Sequence, residues 1–582
     1  MTKSNPHPAP LSWMIGVALA QGFALYGLYQ SIEHNVWPAT DSTWLLPLFT
    51  VSLSAPVIAL LSMNQANLRA LSTPTAAFVG VISLCALYTG WMIAPNDVVE
   101  GSNIYLVFTL SMLIATFKGI MYIQQRANHQ PLTYQLLFTY SWRNFLTTGL
   151  SLAFVGSVAL ILFLWARLFA IIGVEFFTDL FWNDWFLFPV LSVAFGVGIS
   201  IFRNLSTIID SITRLLEGLI RLLLPLIALV ALLFLLTLPL VGLQPLWDTG
   251  NGTALLLWLT ALMLFFVNAV YQSGEHSISY PPWVQTLVCA GLLTLPVFSL
   301  LSFYGLFLRI QEYGWTVGRC WGMVVWAILF AFSAGYTYGI VRRRFAWPAV
   351  LAQTNTYMGW AIVALMVLVN SPALDFRKIT LASQIERVTS GEIGWHDFDF
   401  YYSKHYLGRP GYEHRKALKI EYADDGKLLA LIEQPARRQR IRALGLAGHD
   451  VFDKLTFHSE PFEIPDEVKT LVRNHAYAGP DQHVMALQVD LTKDARDDIV
   501  IIVYQKRFIQ DIVVAYQAND LWRLQRFQAN PPSIGRSMGR PIGRSVKDLE
   551  RALREQVSVE PSAFDTLRIG PLEFQSRGPA GL

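Results

Sequence analysis

Eleven long apolar stretches fill the first two-thirds of the chain, and they limit its possible folds more than any other feature. A helix rises about 1.5 Å per residue, so roughly 20 apolar residues cross the ~30 Å hydrocarbon core of a bilayer. The stretches lack the alternation of apolar and polar residues found in membrane β-barrels, so they are predicted to be helices. The predicted spans are 11–30, 44–63, 74–94, 103–123, 146–173, 185–202, 220–243, 253–271, 283–307, 316–341 and 350–370.

Charged residues are distributed very unevenly between the two parts of the chain. Residues 1–372 contain 26 Asp, Glu, Lys and Arg, whereas residues 373–582 contain 59. The first part therefore lacks the charge that coats a water-soluble fold, while the second has the share typical of globular domains. Two domains are predicted: an all-α polytopic membrane domain over 1–372 and a soluble α+β domain over 373–582.

Local patterns add detail to both domains. Segments rich in Val, Ile, Tyr and Trp, separated by turn-like breaks, predict an antiparallel sheet in the second domain. These segments are 484–490, 499–505, 509–517 and 521–528. In the first domain, residues 132–144 are amphipathic, which predicts a segment lying along the membrane surface.

Positive charges in the short loops predict the orientation of the spans, because Lys and Arg resist transfer across the membrane. An N-terminus in the cytoplasm places most basic loop residues there: Lys3, Arg69, Arg126, Arg143, Arg203, Arg214, Arg221, Arg342, Arg343 and Arg344. Arg309 and Arg319 are exceptions, since they flank a loop predicted on the other side. An odd number of spans then places the C-terminal domain in the periplasm of a bacterial inner membrane.

A few polar or helix-breaking residues interrupt the spans. Asn268 is predicted to make a hydrogen bond between helices. Lys118 lies close enough to a predicted span end for its stem to reach the headgroups. Pro239, Gly242 and Pro245 indicate the exit of the seventh span, with a broken helix lining a binding cavity as the alternative.

Several segments occur in an order and spacing typical of one family. They are Trp142-Arg143-Asn144, LFLWARLFAIIGVEFF (162–177), LLPLIALVALLFLLTLPLVGLQPLWDTG (223–250), Asn268, LRIQEYGWTVGR (308–319), Trp347 with Asn355, and SPALDFRKITLASQIERVTSG (371–391). Together they resemble the uncharacterised bacterial membrane-protein family catalogued as domain of unknown function 4153. The resemblance covers residues 130–400 and implies the fold class, but it brings no activity and no catalytic residue.

One loop of the C-terminal domain has the spacing of a cation site. Residues 490–500 resemble the calcium loop of FG-GAP repeats, in which oxygen-bearing side chains occupy positions one, three, five and nine. Calcium prefers several oxygen ligands, so the resemblance implies a calcium site formed by Asp490, Thr492, Asp494 and Asp498. Lys493 and Ala495 depart from the pattern, and an ion-free loop of the same shape is the alternative.

Three functions are compatible with these features. No Walker loop, dinucleotide glycine motif or nucleophile–base signature stands out, so the first hypothesis is a non-enzymatic envelope sensor, binding or scaffold protein with an envelope protein or lipid as ligand. The second is a transporter or flippase for a lipid or small amphipathic solute. The third, by analogy of architecture, is a lipid-linked transferase that uses Glu33 or Asp41. The lipid bilayer is a predicted partner, whereas the net charge of +3 gives no footprint for nucleic acid.

Overall fold

The structure is a computed structural model. It describes residues 9–96, 98–99, 101–248, 251–271, 280–343, 346–395, 398–433, 452, 455–458, 461–475, 483–491, 496–505, 508–518, 521–529, 557–560, 566–569 and 572–576.

Helices account for nearly all of the membrane domain, and further helices follow it in the chain. In chain order they are α1 Leu11–Glu33, α2 Ser42–Ser62, α3 Leu68–Ile93, α4 Ser102–Ala127, α5 Tyr134–Ile171, α6 Phe176–Phe181, α7 Asp184–Asn204, α8 Ser206–Val241, α9 Gln244–Asp248, α10 Gly252–Val270, α11 Pro282–Tyr313, α12 Val317–Arg343, α13 Trp347–Val369, α14 Phe376–Thr389, α15 Phe400–Tyr406, α16 Gly408–Glu421, α17 Gly426–Glu433 and α18 Asp466–His475. Within the described residues, 11 helices are long and apolar enough to cross a membrane. The predicted all-α polytopic class and its number of spans are therefore confirmed.

Helix α5 corrects one expectation. The segment predicted to lie along the membrane surface instead forms the first turns of α5, which runs unbroken for 38 residues. At about 1.5 Å per residue such a helix is much longer than a ~30 Å bilayer core. The polar residues at its start have partners within the bundle: Asn144 exchanges two hydrogen bonds with Gln124, and the Tyr140 hydroxyl donates to Gln130 Oε1.

The spanning helices form two groups, each with its own apolar core. The first contains α1 to α5 and α7, and its core includes Met14, Ile58 and Ile199. The second contains α8 and α10 to α13, with Leu224, Val288 and Phe298 at its centre. The groups meet where α13 packs against α4 and α5.

Contacts between loops distinguish the two ends of the bundle. At one end, Asn64 and Asn67 of the α2–α3 turn both donate to Asn128 Oδ1 after α4, at 3.1 Å. At the same end Arg203 Nη1, in the last turn of α7, donates to Leu60 O at 2.6 Å. We call this the basic end, because the last turns of α4, α7 and α12 all carry arginine there. The opposite end, where the chain leaves α13, is called the tail end.

The chain folds as two compact units. The first comprises Met1–Phe398 with Ser403–Glu421, and the second comprises Asp399–Tyr402 with Tyr422–Leu582. Among its described residues, the second unit contains eight strands: β1 Leu455–Phe457, β2 His483–Val489, β3 Asp498–Gln505, β4 Phe508–Ala518, β5 Leu521–Ala529, β6 Val557–Glu560, β7 Thr566–Ile569 and β8 Leu572–Ser576.

The strands form one mixed sheet in the order β1-β2-β3-β4-β5-β8-β7-β6. Strand β1 pairs with β2 in parallel, and the remaining pairs are antiparallel. The four predicted strands are therefore confirmed as the β2–β5 meander. Helix α18 covers one face, where Val468 and Val472 pack with Val484, Ile501 and Val513.

Candidate functional site

A cavity of about 380 Å³ lies where the two helix groups meet. Helices α4 and α5 of the first group and α10, α12 and α13 of the second contribute its walls. This volume falls in the range of small-molecule sites, which occur between helices of bundles.

Aromatic side chains form most of the cavity's apolar wall. They include Phe117, Phe138, Trp142, Phe145, Phe265 and Phe332. Phe138 and Phe145 both contact Trp142, with ring centroids 6.1 and 6.4 Å apart. The three rings lie one or two turns apart on α5, because side chains three and four residues apart share a helix face. The part of the wall that α5 contributes is thus an aromatic strip along the start of that helix.

A cluster of polar groups also borders the cavity. Asn355 Nδ2 of α13 donates to Asn268 Oδ1 of α10 at 2.6 Å. The hydroxyl of Tyr336 lies 2.6 Å from Asn268 Oδ1 and 2.5 Å from Asn355 Oδ1, and it donates to one of them at a time. Tyr134 also approaches Asn268 Oδ1, at 3.5 Å. These bonds tie α5, α10, α12 and α13 together, which confirms the predicted interhelical role of Asn268.

Lys118 contributes the single charged side chain among the residues that the structure places around the cavity. It is half-buried on α4, nine residues before Ala127, the last residue of the helix. Nine residues correspond to about 14 Å along the helix axis, and the reach of the Lys118 stem to the headgroups stays a prediction. Within the described residues, the Lys118 ammonium makes no hydrogen bond or ion pair. Lys118 therefore faces a cavity rather than a partner.

A glycine on α13 permits the close packing beside this cavity. The Tyr122 ring of α4 lies against Trp360 with centroids 4.1 Å apart, and its hydroxyl donates to Thr356 O at 3.0 Å. A Cβ on Gly359 would collide with that hydroxyl. Small residues allow membrane helices to approach closely, and this one lets Tyr122 lie between α4 and α13.

A second polar cluster lies at the tail end, where its charges are paired. The Asp375 carboxylate accepts from Arg377 Nε at 2.8 Å, from Arg377 Nη2 at 3.1 Å and from the Tyr88 hydroxyl at 2.6 Å. Burial alone would raise the pKa of Asp375, but the Arg377 charge and these hydrogen bonds outweigh burial and lower that pKa. Asp375 also accepts from the Arg377 backbone amide and so caps α14.

Helix α14 attaches to the α11–α12 turn, so two of the family-like segments meet. Gln384 Nε2 donates to Tyr313 O at 3.0 Å and to Trp315 O at 3.1 Å, while Ser383 Oγ accepts from Trp315 N at 3.1 Å. Gly314 has a φ of +71°, which favours glycine, and a side chain there would meet Gln384. These segments hold the exit of the last span in place.

None of the described residues that the sequence predicted as sites is among those lining the cavity. Asp498 is buried, and its Oδ2 accepts from Leu491 N at 2.9 Å, across the 490–500 loop. Thr492 and Asp494 lie outside the described residues, so the calcium site stays a prediction. Asp41 caps α2 by accepting from Thr43 N at 2.9 Å, and Glu33 is the exposed last residue of α1.

Sequence reasoning missed the cavity, although it had singled out several of its residues. Trp142, Asn268 and Asn355 carried the family resemblance from three separate segments, and all three line the cavity. The seventh span ends at Gly242, with a φ of +83°, so the predicted helix exit is observed there. The break after this helix does not line the cavity, since none of Pro239, Gly242 and Pro245 is among the lining residues.

Comparison with protein families yields a match. The model of the family described as "Domain of unknown function (DUF4153)" matches residues 22–418, which is more than half of the chain and includes every residue lining the cavity. No curated protein matches the chain, and no solved structure matches it.

Proposed function

The chain belongs to the family described as Domain of unknown function (DUF4153), and from its cavity we propose that this polytopic membrane protein is a non-enzymatic binding protein for an amphipathic ligand. The observation that carries the proposal is the cavity of about 380 Å³ between the helix groups. Its walls combine an aromatic strip with a cluster of amide and hydroxyl groups. Such a combination suits a molecule with an apolar body and a polar head.

The cavity lies in the half of the bundle nearer the basic end. Tyr134 is the first residue of α5, and Asn268 lies two residues before the last residue of α10. Asn355 lies eight residues into α13, or about 12 Å from its start. A ligand head at this depth sits near one membrane surface, while its apolar part extends toward the bilayer centre. This position supports binding from a single leaflet.

Photolabelling tests the proposal in the purified full-length protein. A diazirine-bearing fatty-chain amphiphile is expected to label peptides of α5, α10 and α13 more than lipid-facing peptides of α1. Ser141→Trp places a bulky ring in the cavity and should abolish this labelling. Ser157→Trp is the matched control, because Ser157 is exposed on the same helix. Equal labelling of the wild type and Ser141→Trp would contradict the proposal.

A second candidate function is the movement of an amphipathic solute, favoured by the place of the cavity between two helix groups. Transporters hold their substrates between repeats or bundles that rock against each other. Liposomes containing the protein should then move a fluorescent lipid between leaflets, and Ser141→Trp should stop that movement. Photolabelling of the cavity without any movement of the fluorescent lipid would support the binding function and exclude transport.

We also propose a cytoplasmic basic end in a bacterial inner membrane, with the C-terminal domain in the periplasm. Contacts that gather the arginine-bearing helix ends at one end of the bundle support this orientation. The exception at Arg319 has a local reason, since its guanidinium donates to Gly314 O at 2.6 Å, beside the C-terminus of α11. Alkaline phosphatase fused after Leu582 should be active, and a fusion after Arg343 should be inactive.

A further inference from the structure

We infer that the cavity selects an amphiphile whose head carries a net negative phosphate, and that Lys118 is the residue that selects it. This inference rests on the proposed binding function and specifies the chemistry of the ligand. It concerns a phosphate group, whether attached to a lipid or free, and the experiment below separates these two sources.

The charge of Lys118 is the first reason. A cation inside a membrane domain is costly unless an anion or a set of acceptors compensates it. Among the residues that the structure places around the cavity there is no Asp and no Glu. The described residues also supply no hydrogen bond to the ammonium. A bound anion is the compensation that the geometry leaves room for, because Lys118 faces empty volume.

The second reason is that other donors around the cavity are also unused. Ser141 and Trp142 line it, and within the described residues neither the Ser141 hydroxyl nor the Trp142 indole makes a hydrogen bond. By contrast Thr139, one turn away on α5, donates to Gln135 O at 2.9 Å. An ammonium, a hydroxyl and an indole N–H together form a donor set that matches phosphate oxygens, which only accept.

The amide cluster provides the third reason. Asn268 Oδ1 is already engaged by Asn355 and by the Tyr336 hydroxyl. Part of the acceptor capacity of the two amide oxygens is therefore used within the cluster by Asn355 Nδ2 and the Tyr336 hydroxyl, while the donors around the cavity are not used. This imbalance favours an anionic head over a zwitterionic one, since a choline or ethanolamine cation would lie close to Lys118 and be repelled.

Lipid retention by full-length protein in detergent, followed by native mass spectrometry, tests the inference. The probes are dioleoylphosphatidylglycerol, which is net negative, dioleoylphosphatidylcholine, which is zwitterionic, and inorganic phosphate as a competitor. The wild type should prefer the phosphatidylglycerol. Lys118→Met should weaken its binding by about tenfold or more, the effect of losing one charge-assisted hydrogen bond, and should not weaken phosphatidylcholine binding by a similar factor.

Two further variants keep this result interpretable. Lys118→Arg retains the charge and should retain the preference, so it reports selection even if the methionine variant folds poorly. Arg167→Met is the matched control, because Arg167 is also a basic residue in a span but is exposed and lies over the Phe163 ring, at 5.4 Å. It should leave both affinities unchanged.

The outcomes separate the inference from the function on which it rests. Competition by millimolar inorganic phosphate would support the site and identify a free anion as its ligand, whereas no competition would support the lipid. Equal affinity of Lys118→Met and wild type for phosphatidylglycerol would overturn the inference. Equal wild-type binding of both lipids, blocked by Ser141→Trp, would overturn it while keeping the proposed function. Binding that Ser141→Trp does not affect would overturn both.

Discussion

The two polar clusters of the membrane domain differ in how their charges are satisfied. At the tail end, the Asp375 carboxylate is enclosed by Arg377 and Tyr88, and each buried charge has a partner. At the basic end, Lys118 faces a cavity and makes no ion pair within the described part of the chain. A buried charge with a partner holds helices together, whereas one that faces empty volume indicates a place for a ligand. The depth and polarity of a cluster alone do not show whether it joins helices or binds a ligand.

The largest effect is expected from breaking the tail-end pair. Asp375→Asn leaves the Arg377 guanidinium buried without its carboxylate, which typically costs about 3–5 kcal/mol. The apparent melting temperature in detergent should fall strongly. Because the pKa of Asp375 is lowered, its contribution is present above its ordinary pKa of about 3.8 and is lost as pH falls further. The wild type should therefore lose stability in acid, and the variant should lose less.

Glu392→Gln is the control for that prediction. Glu392 pairs with Arg387 at 2.7 Å on the exposed surface of the same segment, where water and salt screen the interaction. Its replacement should leave the melting temperature nearly unchanged. Similar losses in the two variants would show that burial does not set the strength of the Asp375 pair.

Overpacking beside the cavity should have the next largest effect. Gly359→Ala inserts a Cβ against the Tyr122 hydroxyl, and displacing the ring should cost about 1–3 kcal/mol. It should also change the cavity that Tyr122 lines and reduce photolabelling. Gly149→Ala is the matched control, because nothing lies within 4 Å of the added Cβ. The loss of stability in both variants would be measured by unfolding, followed by the fluorescence of an introduced thiol probe.

Removing the amide that joins the helices should have a smaller effect. Asn268→Leu deletes the acceptor shared by Tyr336 and Asn355, and interhelical hydrogen bonds in membranes contribute about 0.6 kcal/mol on average. Thr260→Val on the same helix is the control, since that hydroxyl donates only to Leu256 O within its own turn, at 2.9 Å. A loss larger than that of Gly359→Ala would reverse the order predicted here.

The smallest effect concerns His414, outside the spans. Burial, followed by the nearby Arg415 charge, lowers the pKa of His414 from its ordinary value of 6.5. Stability should therefore decline as pH falls below about 6.5, because the unfolded chain takes up a proton that the folded imidazole resists. His414→Phe should flatten the melting temperature between pH 6.5 and 5. An equal slope in the wild type and in His414→Phe would contradict this assignment.

Much of the fold followed from patterns that act over short distances. Span number depends on runs of apolar residues, and the β2–β5 meander depends on short apolar strands separated by turns, so both were predicted. The helical start of α5 was not predicted, because its polar face packs against other helices of the bundle. Asn144 of α5, for example, exchanges two hydrogen bonds with Gln124 of α4, at 3.0 and 2.9 Å. A sequence pattern shows that a polar face exists but does not identify what covers it.

Apolar runs by themselves determined that this chain belongs in a bilayer with eleven spans, since hydrophobic burial depends on composition more than on sequence detail. Only the tertiary structure decided that Trp142, Asn268 and Asn355, far apart in the chain, surround one cavity with Lys118. Helices of similar hydropathy can pack in many pairings, and the choice depends on small residues such as Gly359 and on side-chain hydrogen bonds between helices. Those contacts are long-range, and no local pattern encodes them.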